Sequence, residues 1–342
     1  MKLKIGLIAL VLTGVISCRP ESIVPETESL KDSPYDLILP THFPDIEFPD
    51  DNQLTTKRVE LGKALFFDNR LSRDMSISCG SCHFQEFAFT NQLNVSIGVN
   101  NRPGSRNAST LANIAYRNRF MMDGGVPSLE LQVMAPIHDP NEFDFSILEV
   151  ASRLQNDDAL QELSIAAYGR EIDPYVITRA IASFERILIS GNSHYDQYVN
   201  GNTEALNDAA KRGMELFYSD RTSCGSCHSG FNFSDESYHN IGLTENYEDI
   251  GRARITLNNS DEGKFKTPSL RNIMLTDPYM HDGSIENIDD VLLFFNEGSN
   301  PHKLKDERIR NLNLNANEIS DLKAFLESLT DKSFIFNPVY LP

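Results

Sequence analysis

Cys79-Gly80-Ser81-Cys82-His83 have the types and spacing to hold a redox cofactor, and the same five residues recur as Cys224-Gly225-Ser226-Cys227-His228. Two thiols three positions apart on one turn can each form a thioether to a haem vinyl group. The adjacent histidine then reaches the iron as proximal ligand. Two other chemistries use paired cysteines. A zinc ribbon wants its two pairs about 15–20 residues apart, and here the pairs lie in opposite halves of the chain. A thioredoxin-like dithiol explains neither the histidine after each pair nor the duplication. The pattern predicts two covalently bound haem c groups, one on Cys79, Cys82 and His83, the other on Cys224, Cys227 and His228.

The fifth and last cysteine is Cys18, so none is left for a disulfide. Haem attachment to this motif takes place outside the cytoplasm, so export to the periplasm or cell envelope is expected. Lys2 and Lys4 precede an apolar run from Ile5 to Ile16, and Ser17 stands before Cys18. This reads as a signal peptide over 1–17, with lipidation at Cys18 anchoring the chain to a membrane. A simple secretory signal is the plainer alternative. The apolar run is short for a membrane span. With 342 residues, 40% hydrophobic and 23% charged, the chain is long and apolar enough for two globular domains. A net charge of −18 makes nucleic acid and anionic membrane surfaces poor partners and would steer a basic electron donor towards it.

These motifs need helices to position them. Residues 18–50, with Pro20, Pro25, Pro34, Pro40, Pro44 and Pro49, read as a tether that becomes an extended strap. Leu54, Leu61, Leu65 and Phe66 predict a helix over about 53–67. After the first motif, Gly98, Pro103 and Gly104 break a long loop over about 84–108. Shorter helices are expected near 109–118, 127–134, 146–155 and 158–168. Asp173 and Pro174 open another, buried along Val176, Ile177, Ala180, Ile181, Phe184 and Leu188. Gly191-Asn192-Ser193 reads as a domain boundary. The second half then begins again, because the stretch from Leu61 to Arg70 resembles that from Arg212 to Arg221. Asn315 and Glu318 cap a last helix near 316–329 with Ile319, Leu322, Phe325, Leu326 and Leu329 on its apolar face. No alternating strand pattern of useful length appears. The expected fold is all-α, with two cytochrome-c-like domains in tandem over 51–190 and 191–342.

From about Leu61 to Leu329 the chain resembles the bacterial di-haem cytochrome c peroxidases, including their MauG-like branch. The likeness is carried, in order, by Ser96-Ile97-Gly98, Arg106-Asn107-Ala108, Asp123-Gly124 and Leu129-Glu130-Leu131-Gln132. Pro136, Pro140-Asn141-Glu142 and Phe184-Glu185-Arg186 follow. Thr267-Pro268-Ser269-Leu270-Arg271-Asn272 and Tyr279-Met280-His281-Asp282-Gly283 complete it. The resemblance implies that the N-terminal haem meets hydrogen peroxide and the C-terminal haem takes in electrons. Gln132, Pro136 and Glu142 match the distal-pocket residues, and a carboxylate there can move a proton between the peroxide oxygens. Taken alone, Glu142 would read as a solvated carboxylate at a helix start. Asn107, Thr276 and Pro278 match positions that bind calcium between the haem domains in relatives, with oxygen ligands that suit the ion. Ordinary turn chemistry is the alternative.

Three positions depart from the family pattern. Val99 stands where many classical members carry a histidine that ligates the resting iron, so the first haem is expected to be open to peroxide without reductive activation. Phe295 stands where relatives carry the methionine or tyrosine that ligates the second haem; Met280, His281, His239 and Met274 are substitutes to consider. Met122 stands where relatives carry a tryptophan between the haems, and this chain has no tryptophan. His138 reads as a surface-loop residue. The function these residues imply is reduction of hydrogen peroxide to water with electrons from a small donor protein. The rivals are a MauG-like oxidase that modifies a partner protein and a non-catalytic electron carrier or sensor. A homodimer is among the expected assemblies.

Overall fold

In the computed structural model, residues 32–342 are described. The expected signal peptide, Cys18 and the start of the tether lie outside the described residues. The strap lies along the surface. Tyr35 N–H donates to the Leu54 carbonyl at 3.2 Å, and Tyr35, Leu37 and Phe48 pack on the first apolar core.

The helix of the first motif's half, α1 (Thr56–Phe66), crosses α6 (Pro174–Arg186). Gly62 sits at the crossing, where an added Cβ would lie 1.9 Å from the Ala180 carbonyl oxygen. In the second half, α8 (Asp208–Phe217) meets α11 (Ala316–Glu327) in the same way, with Gly213 against the Asp321 carbonyl at 1.9 Å. A side chain in either place would hold the backbones apart, so glycine here is a packing requirement. Each helix pair anchors its own apolar core. One core gathers Leu61, Leu65, Phe66, Phe89, Ile177 and Phe184. The other gathers Phe217, Phe233, Ile273, Leu322, Phe325 and Leu329. The C-terminus crosses back, since Phe334 of α12 (Lys332–Ile335) and Tyr340 belong to the first core.

The predominantly helical fold agrees with expectation. The remaining helices of the first half are α2 (Leu129–Gln132), α3 (Met134–His138), α4 (Ile147–Leu154) and α5 (Asp158–Tyr168). The expected helix over 127–134 is thus divided, and Pro136, with no N–H to donate, contributes to the break. The helix expected near 109–118 is only a turn at Ile114–Tyr116. Asn113 before it is left-handed (φ 56°), and its side chain exchanges hydrogen bonds with the backbone of Ser190. Three further helices, α7 (His194–Val199), α9 (Ala253–Thr256) and α10 (Ile288–Glu297), lie in the second half. A two-residue antiparallel ladder pairs β1 (Tyr238–His239) with β2 (Phe265–Lys266).

The sequence repeat extends into the loops. Asn113 corresponds to Asn272, which is also left-handed at φ 60°. The bridge Phe120–Val126 corresponds to Tyr279–Ile285. Ser128 caps α2 by accepting from Leu131 N–H, as Asn287 caps α10 by accepting from Asp290 N–H. Where the halves meet, the correspondence is reciprocal. Asn107 N–H donates to the His281 carbonyl at 2.9 Å, and its counterpart Lys266 donates to the Met122 carbonyl at 2.8 Å.

Candidate haem and peroxide sites

Each Cys-x-x-Cys-His begins on a single 3₁₀ turn, Cys79–Ser81 and Cys224–Ser226, which follows α1 in the first half and α8 in the second. The chain then closes back, with His83 N–H donating to the Cys79 carbonyl and His228 N–H to the Cys224 carbonyl. The intervening glycines make room for a ring. A Cβ on Gly80 would meet Phe67 at 2.4 Å, and one on Gly225 would meet Tyr218 at 2.5 Å.

Both histidines are oriented alike. His83 Nδ1 lies 2.7 Å from the Phe89 carbonyl, and His228 Nδ1 lies 3.0 Å from that of Phe233. Such a bond, donated by Nδ1–H, fixes the tautomer and leaves Nε2 unprotonated, with its lone pair free to ligate iron. Burial lowers the pKa of both imidazoles, more than these bonds raise it. All four motif cysteines are free. Two thiols, an oriented neutral imidazole and an apolar core fit a covalent haem at each motif. The residues that would hold them are Cys79, Cys82 and His83 in one half and Cys224, Cys227 and His228 in the other.

The distal candidates of the first half are joined on one turn. Phe143 N–H donates to the Pro136 carbonyl at 3.1 Å, and Glu142 N–H to the Asp139 carbonyl at 3.0 Å. Gln132 ends α2, ahead of the break at Val133. Val99 is fully buried, and its N–H donates to the Glu142 carbonyl at 2.9 Å. Gly98 presses on this segment so closely that a Cβ would lie 2.1 Å from the Asn141 carbonyl oxygen. Burial, with a smaller push from Asp139, raises the Glu142 carboxyl to about 7. The thiols of Cys79 and Cys82, raised chiefly by burial, also respond to Glu142. The structure therefore brings Glu142 and the first haem motif into one electrostatic environment. His138 is exposed, and its Nε2 accepts from Ile147 N–H at the start of α4.

One acidic residue near this motif has only a place in the Phe184-Glu185-Arg186 family motif and no role assigned from the sequence. Glu185 of α6 is 4% exposed, its Oε2 has no hydrogen-bond partner among the described residues, and burial raises its pKa to about 8. After burial, its charge is the largest influence raising the Cys79 thiol. The available signal was a glutamate continuing the apolar stripe of the helix that begins at Asp173.

The expected calcium positions are dispersed in their bonding. The Asn107 side-chain amide donates to the carbonyl of Leu93 at 3.0 Å, and Thr276 Oγ1 donates to Ile273. Asn107 meets the loop that carries Pro278 through its backbone bond to His281. In the second half, Cys227, Asp235 and His239 cluster with their ligand atoms within 4.8 Å of one another. Haem attachment would use the Cys227 sulfur. His239 is engaged at both ring nitrogens, at 2.9 Å from Asp235 and 2.9 Å from Asp306, so it is not poised as an iron ligand. His281 lies flat on Phe265, ring centroids 3.9 Å apart.

Two haem motifs on paired-helix cores, with a half-buried carboxyl beside the first, define a di-haem c-type redox protein. Comparison with known proteins identifies the family. A family model for di-haem cytochrome c peroxidases matches residues 56–204. The methylamine utilization protein MauG of Methylophilus methylotrophus is 35% identical over 291 residues, covering 83% of this chain and 85% of that protein. Cytochrome-c peroxidase IdrP1 of a Pseudomonas species is 33% identical over 323 residues, covering 84% of each. A crystal structure of a MauG-like protein associated with microbial copper homeostasis superposes with a TM-score of 0.85 at 33% identity, covering 90% of this chain and 98% of that one. The chain belongs to the di-haem cytochrome c peroxidase and MauG-like family.

Proposed function

We propose that this chain activates hydrogen peroxide at the haem of His83 and passes the oxidising equivalents to a partner protein, as a MauG-like oxidase. The observation that carries the reading is the half-buried Glu142 carboxyl, raised towards neutrality chiefly by desolvation, beside a motif whose resting-state ligand position is filled by buried Val99. Relatives named MauG at 35% and 36% identity support it. The haem would supply iron and redox equivalents when bound. Pro136, Gln132 and Glu142 would shape the distal side, and Glu142 would take the proton from one peroxide oxygen and return it to the departing one. Two electrons and two protons then convert peroxide to two waters.

The second reading is a peroxidase that draws those electrons from a small cytochrome. It is favoured by the absence of tryptophan and by Met122 at the junction of the halves. One experiment separates the two. The fully oxidised protein is mixed with peroxide in stopped flow, alone and with ferrous cytochrome c. The oxidase reading expects prompt reaction without prior reduction and slow cytochrome oxidation; rapid steady-state cytochrome oxidation moves the assignment to peroxidase. A protein inert to peroxide until half-reduced would defeat the open-site reading common to both.

We place the protein in the periplasm or cell envelope, because haem attachment occurs there, with Cys18 as the lipid anchor. Calcium at Asn107, Thr276 and Pro278 belongs to the same reading and rests on the family likeness alone, amide and carbonyl oxygens being of the type the ion takes.

A further inference from the structure

The internal repeat assigns the far side of the second haem site. From the two helix caps onward, Ser128 with Asn287, the positions run in parallel: Leu129 with Ile288, Gln132 with Val291, and Pro136 with Phe295. Ile288, Val291 and Leu292 belong to or pack on the same apolar core as Cys224, and Phe295 follows one turn later on that side of α10. The polar side chain of this face is Asn296, and it is spent on Leu314, donating to its carbonyl and accepting from its N–H. Val291, Leu292 and Phe295 are half-buried and apolar.

We infer that the haem of Cys224, Cys227 and His228 keeps an open axial position against this apolar face of α10, and that the position binds small neutral diatomic molecules such as carbon monoxide or nitric oxide. The inference rests on the two-haem reading and not on peroxide chemistry. Distal polarity and donors decide what a haem iron takes. A neutral diatomic needs iron and apolar space. An anion or a hydroperoxide buried without a donor or base pays its full desolvation, and Val291 and Phe295 provide neither. The two halves would then divide the ligands, with peroxide beside Glu142 and neutral gases beside Phe295. The sulfur donors of this core are Met214, on α8 at the motif's own side, and Met274.

The test uses the holoprotein with its haems counted. Ferric spectra of the wild type should show no low-spin haem, and the reduced protein should bind two carbon monoxide molecules per chain. Phe295→Met should convert one haem to low spin and reduce the count to one. A low-spin ferric signal that survives His83→Gln unchanged belongs to the haem of His228 and overturns the proposal, and Met274→Leu then tells whether Met274 was the ligand; a low-spin signal that His83→Gln abolishes belongs to the first haem and leaves the second open, as proposed. A folded Phe295→Met variant that still binds two, with no new low-spin signal, also overturns it, because Phe295 would not face the iron. No peroxide is present in these measurements, so failure of the proposed oxidase chemistry leaves them interpretable.

Discussion

At the scale of single residues, two glutamates beside the first haem motif, half-buried Glu142 and buried Glu185, behave differently. Glu142, raised to about 7 mainly by burial, exchanges its proton in the range where a general base works best. The reaction of peroxide with the ferric protein should therefore accelerate as pH rises through about 7 and the carboxylate forms. Glu142→Gln should flatten that profile and slow the reaction by about 10²–10⁴-fold, roughly 2.7–5.4 kcal/mol of barrier. Wild-type rates in the variant would remove Glu142 from the mechanism. Glu185 makes a prediction about stability. Its folded-state pKa is raised to about 8 by burial, so its contribution is fully present below the ordinary glutamate range and is lost as pH rises towards 8. Arg186 opposes the shift and Glu130 adds to it. Denaturant midpoints of the wild type should fall across that interval, while those of Glu185→Gln fall less. Parallel profiles would mean that Glu185 is ionised and paired in the folded protein. Glu185 was legible as a family residue but not as a buried acid, because burial depends on what packs over the helix.

Among the elements, legibility followed periodicity. The helix opened by Asp173 and Pro174 and the one capped by Asn315 and Glu318 lie where the sequence placed them, since cap and stripe agree locally. The stretch 109–118 misled because its apolar residues serve loop packing and Asn113 satisfies a distant backbone at Ser190. Helix α10 was passed over, although its first-half counterpart was anticipated in outline. The glycines at the two helix crossings test how far packing overrides propensity. Ala is the better helix former by roughly 0.5–1 kcal/mol, yet a methyl at Gly62 would lie 1.9 Å from the Ala180 carbonyl oxygen. Backbone cannot yield as a flexible side chain can, and overpacking typically costs about 1–3 kcal/mol. Gly62→Ala should therefore lower the unfolding free energy by about 1–2 kcal/mol net. A variant as stable as wild type in denaturant titration would show that α1 and α6 can separate without cost.

Across the whole molecule, charge joins elements far apart in sequence. Arg271, fully buried, pairs with Asp196 at 2.8 and 2.9 Å, and His42 of the strap reaches the same carboxylate at 2.9 Å. Where the two reciprocal backbone bonds join the halves, Arg106 binds Asp123 at 2.8 Å and Asp249 at 2.7 and 2.9 Å, and Arg254 adds a contact to Asp123. Asp123 is 1% exposed, and its carboxyl is held below the ordinary range because these two arginines outweigh burial. None of this pairing was readable beforehand: Arg106 and Asp123 were known only as motif residues, and Asp249 carried no signal. Arg106→Gln leaves Asp123 buried with only the more exposed Arg254 as cation and releases Asp249. Removing one partner of a buried pair typically costs about 3–5 kcal/mol, and Arg254 should hold the loss towards the lower end. Arg179, which pairs with exposed Asp51 at the surface, is the control, since such pairs contribute about 0–1 kcal/mol. If the network sets the mutual placement of the halves, Arg106→Gln should also slow electron equilibration between the two haems after rapid partial reduction, while Arg179→Gln leaves it unchanged. Equal stability losses in the two variants would show that the junction is held by its backbone bonds and apolar contacts alone. A destabilised Arg106→Gln with unchanged electron equilibration would confine the network to stability and leave the haem spacing to the helices that carry the motifs.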